Sequence, residues 1–229
     1  MTQLNASRFS KQFSLTTPIA LAPMALASGG ALAAACARAG ALGLVGGGYG
    51  DLAWTQREYR LALQAVDSQR IGIGFITWKL DEDASALDWV LDRPAEERPR
   101  AVMLSFGDAR RYAARIAASG APLICQIQRL EQAAQALEAG AQVLVAQGAE
   151  AGGHGMNGLN GRSTLTLVPE LADWLAGHAP ETLLLAAGGI ADGRGLAAAL
   201  TLGADGALLG TRLWATQESL APLGAKQAA

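Results

Sequence analysis

The apolar residues of this chain fall in short unbroken runs separated by amphipathic, alanine-rich stretches, a pattern that predicts buried strands alternating with helices. Eight runs qualify: Ile19–Ala22, Leu42–Val45, Ile71–Ile76, Ala101–Ser105, Leu123–Ile127, Val143–Ala146, Leu183–Ala187 and Ala207–Leu209. A strand covered on both faces loses the polar alternation of a half-exposed sheet, so continuous runs predict parallel strands packed between helices. Four runs follow the same junction: Ala39-Gly40-Ala41, Ser119-Gly120-Ala121, Ala139-Gly140-Ala141 and Leu202-Gly203-Ala204. A glycine there supplies the left-handed turn that stops a helix. Helix starts are predicted at Ser28, Asp108 and Asp192, where a side-chain oxygen can cap free backbone N–H groups. A helix is predicted over Trp54–Ala65, and Asp81–Arg98 mixes helix with charged loop. Eight strands in this alternation within 229 residues favour a single-domain, TIM-type parallel β/α barrel spanning residues 1–229 over an open doubly wound sheet. Residues 211–229 leave room for a short helix after the last strand.

Charge and cysteine content narrow the partners. The net charge is −2 with both signs interspersed, so the basic stripe that a nucleic acid requires is missing. Cys36 and Cys125 stand far apart without CxxC spacing, which supplies neither a disulfide framework nor a zinc site and fits a reducing compartment. Residues 18–37 carry no charge until Arg38 and follow Arg8 and Lys11, imitating a signal peptide or short membrane span. Pro18, Pro23, Gly29 and Gly30 interrupt that stretch, so a strand, loop and helix explain it better, and a cytoplasmic protein without membrane attachment is expected.

The active site of a β/α barrel lies where the strands end, which directs attention to the residues after each run. Ala187-Gly188-Gly189-Ile190-Ala191-Asp192-Gly193 follows the seventh run and Gly210-Thr211-Arg212 the eighth. Glycines there let backbone N–H groups approach an anion, and the loops after strands seven and eight are the recurrent phosphate position of this fold. After the sixth run comes Gln147-Gly148-Ala149-Glu150-Ala151-Gly152-Gly153-His154-Gly155. A histidine in such a loop can stand over a ligand and, as a residue type, exchanges protons near neutrality. His178, before the seventh run, belongs to the opposite end of the barrel as a solvent-exposed loop residue. Ala22-Pro23-Met24 is an extended exit whose backbone could line a planar ligand, while Thr77 and Gln126 are polar residues ending apolar runs. Gly46-Gly47-Gly48-Tyr49-Gly50-Asp51 lacks dinucleotide spacing, and no P-loop, GxSxG elbow or HExxH site is present. No metal centre is expected.

The stretch QGAEAGGH at Gln147–His154 resembles the signature of the nitronate monooxygenase family, formerly called 2-nitropropane dioxygenases. Ala22-Pro23-Met24, the 46–51 segment, Gly72-Ile73-Gly74-Phe75, the run from Ala187 to Gly195 and Gly210-Thr211-Arg212 stand in the family's order, over residues 15–219. The resemblance implies one FMN, with the phosphate on Gly188, Gly189, Gly210 and Thr211 and the ring lined by Pro23, Met24, Thr77 and Gln126. Ala22, Gln147, Gly148, Gly152, Gly153 and Ala187 would complete the cofactor site, and His154 would face the substrate as the catalytic residue. It implies oxidation of alkyl nitronates, or of the parent nitroalkanes, with dioxygen. Branches that use NAD(P)H to reduce quinones or enoyl groups are the alternative, a phosphate-substrate isomerase or lyase on the same barrel is another, and a non-catalytic flavin-binding protein is a third. A homodimer is compatible with the resemblance. Two departures stand out: Gln126 replaces a frequent lysine, and Met156 a usual glycine. Loss of the lysine removes a fixed positive charge beside the ring. The resemblance also leads one to expect a C-terminal segment shorter than the family's, and a wetter site.

Overall fold

A computed structural model describes residues 7–156 and 160–227. All eight expected strands form: β1 Ile19–Leu21, β2 Gly43–Gly48, β3 Ile71–Ile76, β4 Val102–Ser105, β5 Leu123–Ile127, β6 Val143–Gln147, β7 Leu183–Ala187 and β8 Gly206–Leu209. They run parallel in the order β1-β8-β7-β6-β5-β4-β3-β2. A bridge between Ala20 and Leu42 closes the ring, with the Leu42 N–H donating to the Ile19 carbonyl at 3.0 Å and the Leu21 N–H to the Leu42 carbonyl at 2.9 Å. The architecture is the TIM-type β/α barrel.

Between the strands run α2 (Gly30–Arg38), α3 (Leu52–Ala65), α4 (Thr77–Leu80), α5 (Ser85–Leu91), α6 (Arg110–Ser119), α7 (Glu131–Glu138), α8 (Thr164–His178) and α9 (Gly193–Thr201). The junction glycines Gly40, Gly120, Gly140 and Gly203 adopt φ of 87°, 77°, 79° and 98°, the left-handed turn that ends each helix and delivers the next strand. Two capping expectations hold: the Asp108 carboxylate accepts the Arg110 N–H, and Asp192 accepts the N–H groups of Arg194 and Gly195. Ser28 does something else. Its hydroxyl donates to the Ala22 and Met24 carbonyls, both at 3.0 Å, and the N–H of Gly30 is taken instead by the buried Glu58 carboxylate of α3, also at 3.0 Å. The serine therefore ties down the β1 exit, and a carboxylate from the neighbouring helix caps α2.

Period-two alternation along the strands sorts their side chains into two cores. Leu42, Leu44, Met103, Ile124, Val143, Val145, Leu183, Leu185 and Leu208 fill the barrel. Their neighbours, such as Val45, Ile73, Val102, Leu104, Leu144 and Leu184, pack outward against the helices. An additional helix that the apolar pattern does not announce, α1 (Arg8–Phe13), plugs the N-terminal end of the barrel with Phe9 and Phe13, rings 4.9 Å apart. Past β8 the chain forms two short helices where sequence suggested one, α10 (Thr211–Trp214) and α11 (Leu223–Gln227). Between them the Leu220 N–H donates to the Ala27 carbonyl at 3.0 Å, bringing the chain back onto the β1 exit. Among the described residues no helix is long and apolar enough to cross a membrane.

Candidate functional site

The exits of β6 and β7 meet through their backbones, and the β8 exit comes alongside through the Thr211 hydroxyl. The Gly148 N–H donates to the Ala187 carbonyl at 2.8 Å, so the two exit loops leave the barrel bonded together. Thr164, at the start of α8, braces them from behind, donating its hydroxyl to the Ala187 and Gly188 carbonyls at 3.2 and 3.1 Å. Gly188 and Gly189 have φ of 115° and 69°, conformations that side chains rarely adopt. A Cβ on Gly188 would lie 2.8 Å from the Thr164 hydroxyl and 3.1 Å from the Ala151 nitrogen, and one on Gly152 would lie 3.2 Å from the Thr211 hydroxyl. Closeness of this kind leaves little room for a side chain at Gly188 and a tight fit at Gly152. The N–H groups of Gly189 and Ile190 have no acceptor among the described residues. Glu150 accepts the Thr164 N–H at 2.9 Å, which places its carboxylate at the α8 N-terminus.

The β1 exit folds inward over the barrel. A Cβ on Gly74 of β3 would lie 2.3 Å from the Pro23 ring, and one on Gly46 of β2 would lie 2.5 Å from the Met24 carbonyl. These glycines make the space that Pro23 and Met24 occupy. On the other side, a Cβ on Gly210 would make ordinary contact with the Ala22 methyl and the Met24 sulfur, each at 3.6 Å. Ala22, Pro23, Met24, Gly148, Gly152, Ala187, Gly188, Gly189, Gly210 and Thr211 are thus gathered at one end of the barrel. Gly153, with φ 85°, leads to His154 in the same loop.

Thr77 and Gln126 sit farther round the ring. Thr77 opens α4 rather than ending β3, and its buried hydroxyl has no hydrogen-bond partner among the described residues. Gln126, in β5, accepts from the Ser105 hydroxyl at 3.4 Å and donates to Gln147 at 2.7 Å. Gln147 Oε1 also receives Gln128 Nε2 at 2.8 Å, and the amides of Gln128 and Gln147 both donate to the His154 carbonyl at 3.2 Å. Three glutamines therefore hold the main chain at His154, a role for which an amide is suited because it donates and accepts at once. A lysine at 126 could not accept the Ser105 hydroxyl.

With its carbonyl held, the exposed His154 presents its imidazole to an aromatic wall. The ring lies 5.2 Å from Phe106 and 6.2 Å from Trp78, and Trp78 in turn lies 6.4 Å from Tyr49, all between centroids. Phe106 holds a φ of 63°, a left-handed conformation that costs a side-chain-bearing residue roughly 1–2 kcal/mol. Strain of that kind persists where the surroundings over-determine it. His178 lies at the far end of the barrel as expected, though on the last turn of α8 rather than in a loop, stacked 4.4 Å from Trp174. Sequence reasoning missed Gln128, Thr164, Tyr49, Trp78 and Phe106. Phe106 directly follows β4 as Thr77 follows β3, and Trp78 comes one residue later, so the rule that found Thr77 reaches both. Tyr49 and Gln128 follow β2 and β5 in the same way. Thr164 comes after a long loop, and only the contact reveals it.

A parallel barrel whose exits combine glycine-rich loops with a histidine against an aromatic wall has the arrangement of the β/α barrels, a class of fold that places its chemistry at the C-terminal face. Residues 77–229 match the family model for nitronate monooxygenase. A nitronate monooxygenase of Neurospora crassa is 32% identical over 88% of this chain and 61% of that protein. Nitronate monooxygenase npaC of Metarhizium robertsii is 37% identical over 86% of this chain and 58% of its own length. Among solved structures, FabK from Thermotoga maritima superposes with a TM-score of 0.80 at 30% identity, covering 93% of this chain and 64% of that one. The nitroalkane oxidase of Streptomyces ansochromogenes superposes with a TM-score of 0.82 at 28% identity, over 93% and 70%. The chain belongs to the nitronate monooxygenase family. It spans 58–61% of the length of the two curated relatives named here.

Proposed function

We propose that this chain forms the FMN-binding barrel of a cytoplasmic oxidoreductase that oxidises alkyl nitronates with dioxygen. The observation that carries the reading is the gathering of the β6, β7 and β8 exits beside the Gly189 and Ile190 N–H groups, which have no acceptor among the described residues, in a chain whose relatives include nitronate monooxygenases. The residues present fit the cofactor. Gly188, Gly189, Gly210 and Thr211, with Ala187, Gly148, Gly152 and Gly153 around them, would hold the phosphate, since free N–H groups and a helix N-terminus attract an anion. Ala22, Pro23, Met24, Thr77, Gln126 and Gln147 would border the ring. The Thr77 hydroxyl supports this, because a buried unpaired hydroxyl costs about 1–3 kcal/mol that a polar ring atom reaching it would offset. When bound, the flavin supplies an electron acceptor that dioxygen can reoxidise.

The protein's own part is binding and orientation. His154, held by Gln128 and Gln147, faces the substrate, and a protonated imidazole there draws the nitronate anion into place. A preformed nitronate has already lost the acidic α-proton and needs no base to remove one, so the histidine serves it as an electrostatic anchor. Heat release of the pigment followed by chromatography tests the cofactor assignment: one FMN per chain is expected. FAD, or no flavin retained after reconstitution with excess FMN, would overturn it.

A further inference from the structure

Four rings form a row at the mouth, and of these a small nitronate anchored at His154 leaves Trp78 and Tyr49 unused. Tyr49, Trp78, His154 and Phe106 form a row with neighbouring centroids 6.4, 6.2 and 5.2 Å apart and interplanar angles of 64°, 76° and 51°. Contacts this steep leave ring faces uncovered. Lys79 lies over one face of Trp78 at 5.2 Å, yet Trp78 remains 38% exposed and Tyr49 49%. Two large rings left in water side by side, next to the residue expected to meet substrate, mark a surface meant to be covered. Lys79 is itself paired with Glu82 at 2.7 Å, which leaves little net charge beside the Trp78 ring. The glutamine clamp fixes the row from within, because it holds the His154 main chain while the imidazole packs between Phe106 and Trp78.

We infer that this mouth takes an anionic substrate with an aryl tail, the anionic head at His154 and the ring against Trp78 and Tyr49. On the function proposed above, on which the identity of the head rests, that substrate is an aryl-substituted nitronate. A nitronate of two or three carbons reaches the imidazole but leaves Trp78 and Tyr49 wet, because they begin one ring spacing farther along the row. An aryl tail buries both, and each well-placed ring contact is worth roughly two- to tenfold in affinity.

Two measurements on the FMN-loaded protein test this. In oxygen-consumption assays, kcat/KM for the nitronate of 2-phenylnitroethane is expected to exceed that for ethyl nitronate by about tenfold or more, mainly through KM. The ratio should fall several-fold in Trp78→Ala and in Tyr49→Ala, and recover in Tyr49→Phe, with circular dichroism and flavin content verifying each fold. Independently of turnover, calorimetry should show phenylacetate binding about tenfold tighter than propionate, with that difference reduced in Trp78→Ala. A flavoprotein that oxidises ethyl nitronate but shows no aryl preference in either measurement overturns this inference and leaves the oxidoreductase reading standing. Preferential phenylacetate binding, lost in Trp78→Ala, without nitronate turnover supports the aryl site and overturns that reading instead.

Discussion

The two sides of the barrel mouth are built from different material. On one side, the exits of β6, β7, β8 and β1 work through backbone, with glycines that let N–H groups and chain segments approach where a methyl group would collide. On the other, the exits of β2 to β5 work through side chains, with Tyr49, Trp78 and Phe106 as a wall and Gln126 and Gln128 as ties. His154 joins them, its carbonyl held by amides and its ring by aromatics. A backbone site resists substitution where a Cβ would collide, as at Gly148 and Gly188, and suits the part of a ligand that does not vary. A side-chain wall can be rebuilt one residue at a time, which suits the part that differs between substrates.

The largest expected effect lies on the backbone side. Gly189→Asp places a Cβ at φ 69°, 3.2 Å from Glu150 Cγ, and adds a carboxylate where a phosphate dianion is expected. Like charges at that distance cost several kcal/mol on an order-of-magnitude view. The expected result is a folded barrel, by circular dichroism, that loses its flavin on gel filtration. Retained FMN at unchanged affinity would place the phosphate elsewhere.

At the junction the effect is intermediate and separates two roles. His154→Asn should raise KM for a preformed nitronate about tenfold, the worth of one charge-assisted contact, with kcat little changed. A loss of about 10²–10⁴-fold in kcat/KM confined to the neutral nitroalkane would assign the histidine as a general base instead.

Removing one tie on the side-chain side should do less. Gln128→Leu leaves Gln147 alone on the His154 carbonyl, so KM for the nitronate should rise about threefold while flavin affinity stays put. An effect equal to that of His154→Asn would show that the clamp, and not the imidazole charge, governs binding.

The contrast explains what could be read from the chain alone. The barrel was legible because buried strands write themselves as apolar runs and helix ends as glycines, and the four junction glycines adopt the expected left-handed turn. The backbone side was equally legible, since only glycine meets its demands and its motifs are contiguous. The side-chain side was not, because Tyr49, Trp78 and Phe106 lie 28 or more residues apart and share no pattern until the barrel closes. Likewise nothing in the local sequence distinguishes Glu58, which caps α2 from α3, or α1, whose apolar content is only two phenylalanines.

The smallest effect belongs to the opposite end of the barrel, where neither side should feel it. Burial raises the pKa of Asp205 from the ordinary carboxylate value, against the opposing influence of the Leu184 N–H and Arg8. A carboxyl group with a raised folded-state pKa contributes stability that is present below its unfolded value and is lost as pH rises through the folded one. Asp205→Asn should therefore gain in Tm relative to the native protein on moving from acid to neutral pH, with flavin binding and kinetics untouched. A change in flavin affinity would mean that the two ends of the barrel are coupled.

The central claim, that the glycine exits hold FMN and His154 presents a nitronate to it, is tested most directly by anaerobic titration of the reconstituted protein with ethyl nitronate, NADH and NADPH in separate cuvettes. Bleaching of the flavin absorption by the nitronate and not by either nicotinamide, with the colour returning when air is admitted, is the predicted result. Bleaching by a nicotinamide alone would contradict it and make the protein a reductase.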